Sequence, residues 1–286
     1  GAKWVLNEGV VDCSSVIGSA YMRPGAPKYK NMDKSEDNKV TNADRVLLGG
    51  TGYGLSVKLP YGVEHSYPDY SLYPQFPDAA YGFLSRGCPR NCGFCIVSGK
   101  EGARSVKNTD LGEFSRGQRE IKLLDANLLA CPDHEKLLAQ LADSRAYVDF
   151  SQGLDIRLIT PENVDLLNRI RIKRVHFAWD DPSVDLTGYF QRFSEWSKIR
   201  DHRRKGVYVL TNFGSTHEQD LYRVLSLRSM GFDPYIMVYN RPSAPPITRQ
   251  LQRWVNNKRI FNVVKNFEDY KSGTDWRQTI ESKKNA

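Results

Sequence analysis

Three cysteines fall within eight positions of the stretch "SRGCPRNCGFC": Cys88, Cys92 and Cys95, a Cys-x3-Cys-x2-Cys array. Thiolates gathered this tightly suit a metal centre. A structural zinc site closes with four ligands, commonly two separated pairs. Here the remaining donors, Cys13, Cys131 and five scattered histidines, all lie far along the chain. A thiol redox site needs only Cys92 and Cys95 and leaves Cys88 without a role. An iron–sulfur cluster held by three thiolates keeps one iron open to a substrate or cofactor, an arrangement suited to reaction more than to stapling. Zinc and thiol redox chemistry stand as the lesser alternatives. The other cysteines and histidines have plainer readings: Cys131 a buried or loop thiol, His176 a satisfied strand residue, His134 a helix-surface residue.

The elements that must position this loop fall into three zones. Residues 1–77 are expected to be largely irregular. Their "YMRPGAPKYKNMDKSEDNKVTN" lacks an apolar period, although "RVLLGGTGYGLSVKLP" reads as a strand entering a glycine-rich turn. Residues 78–246 alternate strand and helix patterns. "AYGFLS" is expected to deliver the cysteine loop, followed by the strands "EIKLLDAN", "AYVDFSQGLDIRLI", "RVHFAWDD", "GVYVLTNF" and "PYIMVYN". Between them stand helical patterns such as "PDHEKLLAQLADS", with Leu137, Leu138 and Leu141 on one face, and "PENVDLLNRI", with Pro161 at its first turn. Strands alternating with helices predict an α/β fold built of βαβ units around a parallel sheet. Periodicity leaves open whether six such strands form an open barrel or a doubly wound sheet. Residues 247–286 are expected to be a helical extension.

Composition narrows the partners. The net charge of +8 and the runs Lys198, Arg200, Arg203, Arg204, Lys205 and Arg249, Arg253, Lys258, Arg259 admit a phosphate-bearing partner, but charge alone shows only potential. No apolar run is long enough to span a membrane. No charged segment followed by an apolar one opens the sequence, so no secretory leader is expected. Five clustered cysteines do not resemble a secreted disulfide framework, and a reducing cytoplasm is expected.

"RGCPRNCGFC" resembles the signature of the radical S-adenosylmethionine enzymes, in which Cys-x3-Cys-x-aromatic-Cys binds a 4Fe–4S cluster. The wording "RGCP" is common in the methylthiotransferase and cobalamin-binding branches, and the later segments resemble successive strands of that family's partial barrel. The resemblance spans roughly residues 84–246. It implies a partial (β/α)6 TIM-like barrel and assigns one iron each to Cys88, Cys92 and Cys95. S-adenosylmethionine would chelate the fourth iron, and its reductive cleavage would give a 5′-deoxyadenosyl radical that abstracts a substrate hydrogen. An electron donor of flavodoxin or ferredoxin type is implied as partner.

The resemblance also suggests cofactor contacts. Phe94 occupies the aromatic position between the last two cysteines. Asp125 and Asn127 end the second strand, where many members carry a glycine-rich stretch that is missing here. Arg157 stands where some branches set a basic residue against the cofactor carboxylate, with a salt bridge to Asp155 or Asp149 as its rival role. Gln152, Asp180 and Asn212 are candidates at strand ends. Too few cysteines remain for a second cluster. "LLGGTGYGLSVKLP" resembles the last strand and turn of a cobalamin domain, but too little chain precedes it for a complete one, so residues 1–77 are expected to hold at most a reduced remnant. The substrate is left open, with a nucleotide or nucleic acid slightly favoured over a peptide or small metabolite. The alternative is a non-catalytic iron–sulfur protein that senses or transfers electrons.

Overall fold

The computed structural model describes residues 2–6, 45–49, 61–70 and 78–271. The expectations for Cys13, for the glycine-rich turn at 50–60 and for most of the irregular zone lie outside these residues. Within that zone β1 (Ala2–Leu6) pairs antiparallel with β2 (Arg45–Gly49). The "RVLLG" strand is as expected; "AKWVL" is a strand that five residues of pattern are too few to reveal.

Six strands form one parallel sheet: β3 (Ala79–Gly82), β6 (Glu120–Leu123), β7 (Tyr147–Phe150), β8 (Arg171–Ala178), β9 (Lys205–Thr211) and β10 (Asp233–Val238). They lie in chain order across the sheet, without reversal. Right-handed crossovers joining strands in that order put all the connecting helices on one face. This is the winding of a partial (β/α)6 barrel. A doubly wound sheet would need a point where the order turns back. Two short strands, β4 (Ser85–Arg86) and β5 (Val106–Lys107), pair antiparallel outside the main sheet.

The chain packs as two compact units, residues 1–173 and 174–286. In the first, Ile121, Leu123, Val148 and Phe150 alternate inward along their strands. The helix His134–Ser144 buries Leu137, Leu138 and Leu141, and the helix Pro161–Arg169 buries Val164 and Leu167. Thr160 starts the latter with a reciprocal cap to Asn163, and Pro161 lacks only an amide that no helix would use.

In the second unit β9, "KGVYVLT", is buried along nearly its whole length, as a strand covered on both faces must be. Phe177, Phe190, Phe193 and Phe232 meet edge to face, with centroids 4.8 Å apart for Phe177–Phe193 and 4.9 Å for Phe190–Phe232. The helical extension is present as Pro246–Asn256 and Lys258–Val263, with Leu251, Trp254, Val255 and Phe261 buried. No helix among the described residues is long and apolar enough to cross a membrane.

Three strand expectations need correction. "EIKLLDAN" pairs only as far as Leu123, so Asp125 and Asn127 lie in the loop beyond the strand and do not end it. "AYGFLS" is not continuous: β3 stops at Gly82, and the cysteine loop leaves from β4, which pairs with β5 and not with the main sheet. The third strand ends at Phe150, well short of Ile159. Gly153, at φ +106°, turns the chain, and the Asp155 side chain then caps a 3-10 turn at Ile156–Leu158 by accepting from the Arg157 amide. Arg157 therefore sits on a turn beyond the strand.

Candidate functional site

The cysteine loop is the apex of an excursion between β3 and β6, and its backbone is tied down at several points. Gly87 has φ +87°, and a Cβ there would lie 2.1 Å from the Arg104 carbonyl oxygen, so only glycine fits. The Cys88 amide donates to the Gly102 carbonyl at 3.1 Å, and the Cys95 amide to the Cys92 carbonyl at 2.9 Å. Glu101 closes the base of the loop by accepting from Arg86 Nη1 at 3.0 Å and from the Gly87 amide at 3.3 Å. Arg86 also reaches Glu64 at 3.0 Å, with its guanidinium over the Phe83 ring. Asn91, at φ +48°, is steadied by the Ser98 hydroxyl at 2.8 Å.

Cys88, Cys92 and Cys95 are each half-buried, and Phe94 among them is half-buried too. Among the described residues no group of three or more His, Cys, Asp or Glu side chains is placed to hold a metal ion. A lone zinc would need its thiolates to converge at about 2.3 Å.

The loop after β6 supplies the next wall, and its two candidates serve different ends. Asp125 is fully enclosed and accepts from the Ser85 hydroxyl at 2.7 Å, from the Ser85 amide, and from the Leu84 amide at 3.2 Å. Burial pushes its carboxyl up to about 6, against the pull of these bonds. Both of its oxygens thus hold the strand that delivers the cysteines. Asn127, 2% exposed, turns its Nδ2 to the Cys88 sulfur at 3.6 Å, while its Oδ1 is buried without a hydrogen-bond partner. Its carbonyl accepts from the buried Ser105 hydroxyl at 2.9 Å.

Beyond β7, Asp155 collects two arginines. Arg157 Nε donates to its Oδ1 at 2.7 Å and Nη2 to its Oδ2 at 3.2 Å, while Arg90, from within the cysteine loop, donates to Oδ2 at 2.5 Å. Burial pushes the Asp155 carboxyl up, but Arg157 and Arg90 together outweigh this and hold it below the usual range. The salt bridge expected as a rival role for Arg157 is therefore made, with Asp155. About a third of each arginine side chain remains exposed. Gln152 is half-buried just after β7.

The first unit thus brings the loop that carries Cys88, Cys92, Cys95 and Phe94 together with Asp125, Asn127 and, through Asp155 and Arg90, Arg157. Asp180 and Asn212 belong to the second unit. Asn212, at φ +61°, donates Nδ2 to the Tyr239 carbonyl at 2.8 Å and ties the ends of β9 and β10. Asp180 follows β8, and its carbonyl accepts from Arg223 Nη1 at 3.2 Å. Arg223 is wholly buried and joins strand ends through the Trp179 carbonyl at 2.6 Å, the Leu210 carbonyl at 2.9 Å and the Asp220 carboxylate. His176 stacks on Tyr208 with centroids 5.0 Å apart, as a strand histidine in a packed setting. Cys131 is buried, and that burial pushes its thiol up.

The residues that pattern missed are Arg90, Glu101, Asn127's partnership with Cys88, and Arg223. Only Arg90 carried a signal, by standing inside the motif. The basic runs divide as well. Lys205 is buried over the Phe232 ring, and Lys258 pairs with Asp233 at 2.7 Å; burial lowers both ammonium groups. Lys198, Arg200, Arg204, Arg253 and Arg259 are exposed. The chain matches no protein-family model, and a search of curated proteins returns no match.

Proposed function

We propose that the chain is a radical S-adenosylmethionine enzyme, with Cys88, Cys92 and Cys95 as the ligands of a 4Fe–4S cluster. The observation that carries this reading is the set of three half-buried thiols on one backbone-tied excursion that follows the carboxyl end of the parallel strand β3. In parallel α/β sheets, ligands gather at that end. The donor set suits the group: a cluster takes each thiolate on a different iron and does not ask them to converge on one point. When bound, the cluster supplies an electron for reductive cleavage of S-adenosylmethionine, yielding a carbon radical that abstracts hydrogen from substrate.

The residues around the loop then have defined work. Asp125 anchors the entering strand through Ser85 and Leu84. Gly87 allows the close backbone approach that sets Cys88. Asp155 keeps Arg90 and Arg157 beside the loop, each with part of its side chain exposed. The basic balance favours a nucleotide or nucleic acid as substrate, and a flavodoxin- or ferredoxin-type protein as reductant is consistent with the chemistry.

The test is anaerobic reconstitution with iron and sulfide, followed by reduction in the presence of S-adenosylmethionine. The expected product is 5′-deoxyadenosine, detected by mass spectrometry. A fully loaded protein that releases none is a sensing or electron-transfer protein, and the enzyme reading falls.

A further inference from the structure

Asn127 stands out among the buried polar groups around the loop. Its Oδ1 has no hydrogen-bond partner, and its Nδ2 makes a single contact, to the Cys88 sulfur at 3.6 Å. A buried amide that makes one of its four possible hydrogen bonds is costly, and an aliphatic side chain of similar size would avoid that cost. Packing does not account for an amide here; the N–H directed at sulfur does. The same residue's carbonyl holds Ser105 on the returning arm of the excursion, so Asn127 touches the loop at both entry and exit.

We propose that Asn127 is a positioning residue that tunes the reduction potential of the cluster through Cys88, an inference that rests on the cluster reading above. Reduction adds negative charge, part of which resides on the ligating thiolates. An N–H directed at one of those sulfurs stabilises the reduced form more than the oxidised form. Hydrogen bonds to the sulfurs are among the factors that set such potentials. The amide of Asn127 therefore makes the cluster easier to reduce.

The experiment compares the wild-type chain with Asn127→Leu, which keeps bulk and removes the donor, and with Asn127→Gln, which keeps an amide. Asn127→Ser is included as a smaller polar replacement should the leucine variant fail to fold. Each protein is reconstituted anaerobically, its iron and sulfide are counted, and its midpoint potential is read by redox titration under electron paramagnetic resonance. The expected result is a more negative midpoint for Asn127→Leu and Asn127→Ser, with Asn127→Gln closer to wild type. A loaded leucine or serine variant with the wild-type midpoint overturns the proposal while leaving the cluster reading intact. Failure of the wild-type chain to take up iron removes both.

Discussion

Two glycines of the cysteine excursion offer a controlled test of how its backbone is held. Gly87 and Gly102 both have positive φ, at +87° and +110°, so either pays a conformational penalty on substitution by alanine. They differ in clearance. A Cβ at Gly87 would meet three backbone atoms, at 2.1 Å from Arg104 O, 3.0 Å from Gly102 O and 3.1 Å from Arg104 C, whereas at Gly102 nothing lies within 4 Å. Gly102→Ala should therefore cost only the backbone term, about 1–3 kcal/mol. Gly87→Ala should add about 1–3 kcal/mol of steric cost, because backbone atoms do not swing aside as a flexible side chain does. Urea unfolding of the metal-free proteins measures the difference as a lower midpoint for Gly87→Ala at unchanged slope. If the strain is instead relieved by local opening, the bond from the Cys88 amide to the Gly102 carbonyl breaks, and alkylation of Cys88 accelerates. Equal midpoints together with equal alkylation rates in the two variants would refute the close-approach argument.

Burial lifts the Asp125 carboxyl from 3.8 to about 6, so between those pH values the folded chain keeps a proton that the unfolded chain has released. Stability should then fall as pH rises through that window, by roughly 3 kcal/mol, and Asp125→Asn should lose the slope. Parallel pH profiles of the urea midpoint in the two proteins would contradict this. Asp155→Ala releases Arg90 and Arg157, two part-exposed pairs worth about 1 kcal/mol or less each. Tryptic cleavage after Arg90 should accelerate by roughly fivefold to tenfold, and an unchanged rate would separate Asp155 from loop order. Arg223→Met strands Asp220, with side chains 1% and 2% exposed, and should cost about 3–5 kcal/mol. Adding Asp220→Leu should recover only part of the loss, because the Trp179 and Leu210 carbonyls still lack their donor. Full recovery would mean those carbonyl bonds contribute nothing.

Much of the fold was legible because its signals are periodic. The six strands of the sheet alternate with amphipathic helices, and β9 through β10 fall where the apolar runs place them. What pattern could not resolve was where a strand stops. "AYVDFSQGLDIRLI" stays apolar enough to read as one strand, yet Gly153 and the cap formed by Asp155 turn the chain after Phe150. That turn relocates Arg157 and brings it to Asp155. The partners in the site are hidden for a different reason: they lie 39 to 65 residues apart, as Asn127 and Arg90 do from Cys88 and Asp155. Their proximity follows from sheet order. With β6 between β3 and β7, the loops that leave the carboxyl ends of all three strands must be neighbours, whatever their sequence. Sheet order still does not decide what each polar residue in those loops faces. Asp125 and Asn127 are two positions apart on one connection. The first turns to the backbone that carries the cysteines and the second to a cysteine sulfur, so the two side chains act on different parts of the same loop.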